Sequence, residues 1–279
     1  MPTLAPPCTL TDEEYLLLGE LVAKQLGITL PEHKREMLAA RLCSRLQVLH
    51  LPRFLDYYLR LQRDPQGELR WLAELVTNNE TYFFREVQQF EALFAELGRG
   101  GRTGRPARVL CAGCSSGEEP YTLAILGWQN ALRPGLGRLE IDAFDVDAAR
   151  IEMASAGRYG RSSLRATTPE QMRLCFEPAG GDQWSLRAPF RTGVRFGWGN
   201  ILDPGSFPSH GGGYDAVFCR NVLIYFSEAA LRRAVSHFIG ALRPGGLLFL
   251  GLAESIIGLS DRLETVRFAR TIAYRKVAA

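Results

Sequence analysis

The sequence has no apolar run long enough to cross a membrane. A spanning helix needs roughly 18 or more consecutive apolar residues, whereas the longest apolar run covers residues 247–253, a length typical of a buried strand. Residues 1–10 carry three prolines and no basic stretch followed by an apolar one, so they lack the pattern of a signal peptide. We therefore expect a cytoplasmic protein with no direct membrane insertion.

The sequence also lacks the charge excess and the ligand clusters that would indicate nucleic acid or a metal as partner. A net charge of +3 over 279 residues is too small for binding to phosphates, which requires a concentrated basic face. The four histidines are scattered, and among the six cysteines only Cys111 and Cys114 form a CxxC pair. Without a second pair there is no pattern for a zinc site. We expect neither a nucleic-acid partner nor a bound metal.

The first quarter of the chain has helical patterns only. Thr11 and Glu14 form a capping box that opens a helix, and Gly27 ends it. Pro31 begins a second helix, in which apolar residues recur at three- and four-residue spacing. These apolar residues are Met37, Leu38, Leu42, Leu46 and Leu49. The predicted helices cover residues 11–26, 31–49, 54–62 and 68–76.

From Arg108 onward, predicted strands alternate with predicted helices, which indicates an α/β domain with a parallel sheet. The strands are expected at residues 108–111, 139–144, 214–219 and 247–250, and the helices at residues 118–132, 147–156 and 227–242. Residues 184–198 have β-type content interrupted by Pro189 and Gly193, and predict a small inserted antiparallel hairpin.

These patterns predict three segments. A helical N-terminal domain covers residues 1–78, a linker covers residues 79–106, and an α/β domain covers residues 107–279 with a β-subdomain inserted at about residues 174–198. Within the linker, residues 97–106 contain four glycines and three arginines, which is typical of a flexible connection.

The segment after the first predicted strand is a candidate cofactor loop. Ligands of open α/β sheets bind beyond the carboxyl ends of the strands, and Gly113 and Gly117 lack the side chains that would block close approach. A dinucleotide would require GxGxxG and an uncovered helix N-terminus. Glu118 and Glu119 in the first helical turn would repel pyrophosphate. They suit a positively charged ligand with ribose hydroxyls.

Two acids follow the second predicted strand. Asp145 lies about 30 residues beyond the loop, where an acid commonly accepts hydrogen bonds from ribose hydroxyls. Asp147 is expected to cap the following helix.

The nearby pair Cys111 and Cys114 has an alternative interpretation as a redox pair. Small buried residues are the interpretation we prefer, because adjacent acids would raise the pKa of both thiols.

Four motifs together identify a family. They are NNETYFFRE at residues 78–86, AGCSSGEEPY at residues 112–121, FCRNVLIYF at residues 218–226 and LRPGGLLFLGLAES at residues 242–255. In this order, and over nearly the whole chain, they closely resemble the chemotaxis receptor methyltransferases, the CheR family. The resemblance implies a small all-α domain followed by a Rossmann-like methyltransferase domain that carries a three-stranded β-subdomain.

The resemblance also implies an activity and its residues. Members of this family transfer a methyl group from S-adenosyl-L-methionine to glutamates on the cytoplasmic helical bundle of chemoreceptors, leaving S-adenosyl-L-homocysteine. Arg85 and Tyr225 match the positions thought to lie nearest the transferred methyl, and Asn200 and Ile201 would flank the adenine. The implied cofactor contacts in full are Asn79, Thr81, Arg85, Glu119, Asp145, Asn200, Ile201, Arg220 and Asn221.

The chemistry fits these residue types. A glutamate side chain is ionised near neutral pH, so it needs no general base to attack a sulfonium methyl. We expect Arg85 and Tyr225 to orient the reactants rather than to move protons.

Three further basic residues, Lys34, Arg41 and Arg45, fall roughly on one helical face. They form either a solvated face or a contact surface for an acidic receptor bundle.

Two alternatives to receptor methylation remain open at this stage. The first is a methyltransferase of the same build that acts on another substrate, such as a small molecule. The second is a non-catalytic module that binds S-adenosylmethionine and reports its level to a partner. The presence together of Arg85, Asn221 and Tyr225 favours catalysis. We expect a monomer.

Overall fold

The computed structural model describes residues 9–63, 65–99, 105–130 and 138–278, with the side chains of residues 65 and 66 left out. The chain divides into two compact units. The first contains the residues up to Asn78 together with Tyr225–Leu231, and the second contains Asn79–Ile224 and Arg232 onward. None of the helices within the described residues is long and apolar enough to span a membrane.

The first unit is helical. Its helices are α1 Asp12–Leu26, α2 Arg35–Val48, α3 Phe54–Arg63 and α4 Pro65–Val76. The capping box predicted at Thr11 and Glu14 is present, and Gly27 ends α1 in the left-handed conformation with a φ of 78°. Leu38, Leu42, Leu46 and similar side chains of the other helices form the buried core of this unit.

A short segment from late in the chain belongs to this helical unit. Tyr225 accepts a hydrogen bond from the backbone N–H of Thr29 (2.8 Å), and Ser227 donates one to the carbonyl of Gly27 (2.9 Å). Ile28 and Phe226 form an isolated antiparallel bridge. The segment was predicted to lie in the α/β domain, because the strand-to-helix pattern of residues 214–242 contains no signal that the chain pairs with a distant loop.

The second unit begins with α5 Val87–Arg99 and contains the strands. Its further elements, in chain order, are β1 Ala107–Ala112, α6 Glu118–Asn130, β2 Leu139–Asp145, α7 Ala148–Ala156, β3 Arg158–Gly160, α8 Pro169–Cys175, β4 Phe176–Pro178, β5 Gln183–Leu186, α9 Ala188–Arg191, β6 Val194–Trp198, β7 Tyr214–Cys219, α10 Glu228–Ala241, β8 Leu242–Leu250, β9 Leu263–Arg267 and β10 Ile272–Lys276. Helix α10 begins in the segment that belongs to the first unit.

Seven strands form the main sheet, in the order β6-β2-β1-β7-β8-β10-β9. The first five run parallel, and β10 is antiparallel to both of its neighbours. Phe218 on β7 stacks on Phe249 of β8, with ring centroids 4.6 Å apart, in the core beneath one face. The strand order reverses at β1, so the crevice beyond its carboxyl end is the place where such sheets bind ligands.

The predicted α/β fold with an all-α N-terminal part is confirmed, with one correction. The small antiparallel sheet consists of β3, β5 and β4, whereas residues 194–198 join the main sheet as β6, parallel to β2. The predicted hairpin over residues 184–198 is therefore wrong in its second half. Pro189 lies in the first turn of α9, and Gly193 has a φ of 90° in the turn that leads into β6, so both mark the ends of a helix.

The linker prediction also changes, and one predicted helix end cannot be compared. Residues 97–99, expected to be flexible, form the last turn of α5, and residues 100–104 lie outside the described residues. Helix α6 ends at Asn130, and the predicted end of this helix at residue 132 lies outside the described residues.

The burial pattern of α2 gives a direct test of the helical core. Replacing Leu42 by Ala should lower the free energy of unfolding by about 2–5 kcal/mol, because its side chain is fully buried. Met37 shares the apolar spacing but is 42% exposed, so Met37→Ala should change that energy by less than about 0.5 kcal/mol. Urea denaturation followed by circular dichroism measures the free energy of unfolding of both variants. An equal loss in the two variants would contradict the assignment of Leu42 to the core and of Met37 to the surface.

Candidate active site

The loop after β1 is tied to the end of β2. The backbone N–H groups of Gly113 and Cys114 both donate to the carbonyl of Phe144, at 2.9 and 3.1 Å. Gly113 and Gly117 have φ values of 78° and 91°, which favour glycine. The carboxyl ends of β1 and β2 and the loop after β1 therefore lie together at one edge of the main sheet.

The two glycines are needed by the protein itself. A Cβ atom at Gly113 would lie 2.7 Å from Cγ2 of Val222, and one at Gly117 would lie 2.8 Å from Cβ of Ala154. Neighbouring side chains fill the space that a Cβ atom would occupy at either position. The glycines therefore allow the loop to pack against Val222 and Ala154. The close approach of a ligand to the backbone of these glycines stays a prediction.

Asp145, at the end of β2, is buried and bound to the loop. One carboxylate oxygen accepts the backbone N–H of Ser115 (2.7 Å), and the other accepts that of Asp147 (2.9 Å). Burial raises the pKa of Asp145 to about 6, although these two hydrogen bonds oppose the shift. A carboxylate has about four lone-pair sites, so Asp145 can still accept hydrogen bonds from a ligand.

Asp147 caps α7, as expected, by accepting the backbone N–H of Arg150. Its second oxygen accepts a hydrogen bond from the side-chain amide of Asn79 at 2.7 Å. The hydroxyl of Ser115 donates to the carbonyl of Asn79 at 3.4 Å. The linker motif is therefore joined to the same edge of the sheet as Asp145.

Arg220 follows β7 and connects three segments of the second unit. Its guanidinium pairs with Glu86 at 3.3 Å and with Glu119 at 3.2 Å, and donates to the backbone carbonyl of Arg85 at 2.7 Å. It also lies over the ring of Phe90, 5.0 Å from the centroid. We call these contacts the Arg220 network. Burial raises the pKa of Glu119, and the charge of Arg220 opposes that shift.

The linker turn that meets Arg220 has an unusual backbone. Phe84 and Glu86 have φ values of 61° and 52°, in the left-handed region that non-glycine residues rarely adopt. The N–H of Phe83 donates to Ser163, and the N–H of Phe84 donates to the hydroxyl of Thr122. Both phenylalanine rings are buried and pack in the core of the second unit. Arg85, between them and Glu86, is half-buried and donates to the carbonyl of Glu80 at 3.0 Å.

Two of the remaining predicted cofactor residues, Asn200 and Ile201, lie at this edge of the second unit. Trp198 pairs with Asp145, and the N–H of Gly199 donates to the Asp145 carbonyl at 2.9 Å. Asn200 and Ile201 follow directly, so β6 carries them to the end of β2. Asn221 has a φ of 61°.

The first unit contains Tyr225 and the predicted basic residues. The side-chain amide of Asn78 donates to the Tyr225 hydroxyl at 2.9 Å, and the ammonium of Lys34 lies 5.5 Å from the centroid of the Tyr225 ring. Arg41 is exposed and donates to the carbonyl of Leu75. Arg45 is largely buried and is held by other groups.

Arg45 does not share an exposed face with Lys34 and Arg41. Its guanidinium forms two hydrogen bonds with Glu68, at 2.9 and 3.0 Å, and lies 4.2 Å from the centroid of the Trp71 ring. Helical spacing could not reveal this, because Glu68 and Trp71 lie on another helix. Glu86 was likewise not predicted as a site residue, because its only signal in the sequence was its place at the end of the NNETYFFRE motif.

The redox interpretation of the CxxC pair fails on its chemistry. Cys111 and Cys114 are both free and fully buried. Burial raises the pKa of both thiols well above the ordinary value, and nearby acids raise it further. A reactive pair needs an exposed thiol with a lowered pKa.

Comparison with known proteins identifies the family. The model of the CheR methyltransferase all-alpha domain matches residues 13–77, and that of the CheR methyltransferase SAM binding domain matches residues 79–272. The chain is 34% identical over 272 residues to the chemotaxis protein methyltransferase of Vibrio parahaemolyticus, covering 96% of this chain and 98% of the relative. It is 37% identical over 267 residues to that of Klebsiella aerogenes, covering 92% and 88%.

The fold and these matches define an S-adenosylmethionine-dependent methyltransferase. Within that class, the chain belongs to the CheR methyltransferase family. The family resemblance of the four motifs is therefore confirmed, as is S-adenosyl-L-methionine as the cofactor.

The charges of the second unit fit this cofactor. The Arg220 network contains two acids, Glu86 and Glu119, for one guanidinium, and the charge of Arg85 also acts on Glu119. Asp145 adds a third buried acid at the end of β2, and this surplus of acids suits a ligand with a sulfonium and an ammonium group. Oε2 of Glu86 and Nε of Arg220 are buried and have no hydrogen-bond partner among the described residues. Oε2 of Glu86 lies 3.3 Å from Nη2 of Arg220 as an ion pair, but buried polar atoms without a hydrogen bond are costly, so a polar ligand that bonds to them would lower that cost.

The raised pKa of Asp145 predicts a pH dependence of cofactor binding. Ribose hydroxyls donate to the ionised carboxylate, so affinity for S-adenosylhomocysteine should fall as the pH drops through about 6. Calorimetric titration from about pH 7.5 to about pH 5 measures this. Asp145→Asn should bind more weakly and without that dependence, because its side chain does not titrate.

Asp142→Asn is the matched control for this experiment. Asp142 is a buried acid on the same strand, and it is bonded to Arg195, His210 and Tyr214. This variant should keep the pH profile of the original protein. An affinity of the unaltered protein that stays flat across the titration would contradict the role given to Asp145.

Proposed function

We propose that the chain is a protein-glutamate O-methyltransferase that acts on chemoreceptors. Its substrate is the cytoplasmic helical bundle of such receptors, or of receptor-like signalling proteins, and the enzyme acts as a monomer. The proposal is supported by relatives that are named chemotaxis protein methyltransferases and that align over nearly their whole length. It is also supported by the two family domains, which follow each other in one chain.

The observation that carries the acceptor type is the environment of Tyr225. Its ring lies beside the ammonium of Lys34, and its hydroxyl accepts a hydrogen bond from Asn78. By family resemblance, Tyr225 matches the position nearest the transferred methyl. A cation beside this position favours an acceptor with negative charge, and a glutamate carboxylate has that charge at neutral pH.

The chemistry requires orientation more than proton transfer. When bound, the cofactor supplies an electrophilic methyl group on a sulfonium. A carboxylate acceptor is already deprotonated, so Arg85 and Tyr225 serve to orient it and to keep water out, and neither moves a proton. The backbone of Arg85 is fixed by Arg220, which gives its side chain a defined starting point.

We propose cofactor roles for the residues at the carboxyl ends of the parallel strands in the second unit. Asp145 would hold the ribose hydroxyls, Asn200 and Ile201 would flank the adenine, and Glu119 would lie nearest the positive charges of the cofactor. Arg220 would act with Glu119 and Glu86 as one charged group. The remaining proposed contacts are Asn79, Thr81, Arg85, Gly113 and Asn221.

The decisive experiment identifies the methylated atom. Incubating the protein with methyl-labelled cofactor and the cytoplasmic fragments of the receptors from the same organism should label the receptors. Mild base should then release the label as methanol, because carboxyl esters hydrolyse and methylated nitrogen or sulfur does not. Receptor fragments with the labelled glutamates replaced by alanine are the control. Base-stable label, label on small molecules only, or no transfer despite cofactor binding would each contradict the proposal.

Charge steering of the acidic substrate gives a separate prediction. Raising the salt concentration should raise KM for the receptor fragment while leaving the Kd of the cofactor unchanged, since salt screens exposed charges. Lys34→Gln should raise KM at low salt and reduce its salt sensitivity. Lys24→Gln removes the same charge from an exposed position on α1 and should behave like the unaltered protein. Equal effects of the two substitutions would contradict a specific role for Lys34.

A further inference from the structure

The carboxylate of Glu254, just beyond β8, is surrounded by backbone donors. Glu254 is only 8% exposed. One of its oxygens accepts three N–H groups and the other accepts two, at distances between 2.6 and 3.2 Å. The donors are the backbone N–H groups of Asn221, Val222, Leu223, Ile224 and Gly251. We call this arrangement the Glu254 network.

Four of these donors are consecutive residues of one turn. Such a run of N–H groups points to one side and leaves backbone donors unsatisfied unless an anion accepts them. The turn begins at Asn221, which has a φ of 61° although it is not glycine. Hydrogen bonds to an ionised acceptor are stronger than neutral ones. Glu254 is therefore the group that stabilises this uncommon backbone.

The turn is fitted tightly on two sides. A Cβ atom at Gly251 would lie 2.7 Å from Nδ2 of Asn221 and 2.9 Å from a carboxylate oxygen of Glu254, so only glycine fits there. On the other side, Cγ2 of Val222 occupies the space beside Gly113, where a Cβ would come within 2.7 Å. The same turn therefore contacts the end of β8 and the cofactor loop after β1.

We propose that Glu254 is a positioning residue for the cofactor. Its carboxylate fixes the turn that presents Asn221 and that places Val222 against Gly113 of the cofactor loop. Five hydrogen bonds occupy its oxygens, so it acts through these residues rather than by touching the reacting atoms. The inference rests on the proposed cofactor roles of Asn221 and Gly113.

The test is Glu254→Gln, which keeps the shape and replaces one oxygen by an NH2 group. That NH2 must face at least two backbone donors, so the turn loses one of its two acceptor oxygens. The Kd of S-adenosylhomocysteine and KM for the cofactor should rise about tenfold or more, as for other residues that orient ligating groups. The kcat at saturating cofactor should change far less, because the reacting groups remain.

Asp215→Asn is the control for a loss of stability alone. Asp215 is also a buried acid that accepts a backbone N–H, from Arg108 at 2.9 Å, and it pairs with Arg243 at the amino end of β7. Both variants are compared well below their melting temperatures. Asp215→Asn should lower Tm and leave the Kd of S-adenosylhomocysteine unchanged. An equal loss of affinity in the two variants would overturn the inference, since general destabilisation would then explain both.

Two further variants complete the design. Gly251→Ala keeps the carboxylate but pushes against Asn221, so it should also weaken S-adenosylhomocysteine binding, even if Glu254→Gln does not fold. Asn221→Gly keeps the backbone conformation and removes the side chain. Normal affinity in Asn221→Gly would refute the cofactor role of Asn221 itself. Weak binding in Asn221→Gly with normal binding in both Glu254→Gln and Gly251→Ala would overturn the inference about Glu254 alone.

Discussion

The second unit depends on one buried guanidinium. Arg220 lies between Glu86 and Glu119 and also holds the backbone carbonyl of Arg85. Removing one partner of such a buried ion pair typically costs about 3–5 kcal/mol, because the other charges remain buried without compensation. The Arg220 network therefore decides whether the linker turn, the start of α6 and the end of β7 can lie close together at all. If Arg220 also contacts the cofactor, that contact is additional to its role of holding these three segments together.

The charge of this region follows from the same contacts. Two acids share one guanidinium, and Asp145 lies buried at the neighbouring strand end with its pKa raised to about 6 by burial. Burying acids in this way is unfavourable without a ligand, because the charged forms lose their hydration. A cationic ligand with hydroxyl donors lowers that cost, whereas a pyrophosphate would increase it. The preference for a sulfonium cofactor over a dinucleotide is thus a property of the whole edge and of no single residue.

Local patterns allowed prediction of the local features. The capping box at Thr11, the end of α1 at Gly27 and the acids of the cofactor loop are all determined by residues close in sequence. Features that depend on distant partners could not be predicted in the same way. Residues 194–198 join the main sheet because β2 offers a free edge, and Arg45 is buried because Glu68 on another helix binds it. The five donors around Glu254 likewise come from two segments about 30 residues apart.

A methyl transfer that needs no general base depends mainly on the alignment of the reacting atoms. When the acceptor is already an anion, no side chain has to titrate near neutral pH, and the rate depends on how well the reacting atoms are aligned. Alignment is produced by groups that fix backbone, such as Arg220 at the linker turn and Glu254 at the turn after β7. Both are charged groups whose bonds go mainly to backbone N–H or carbonyl groups or to other buried charges. In this fold, the buried charges of Arg220 and Glu254 therefore hold the backbone in place, and under the proposed function the alignment of the reactants depends on them.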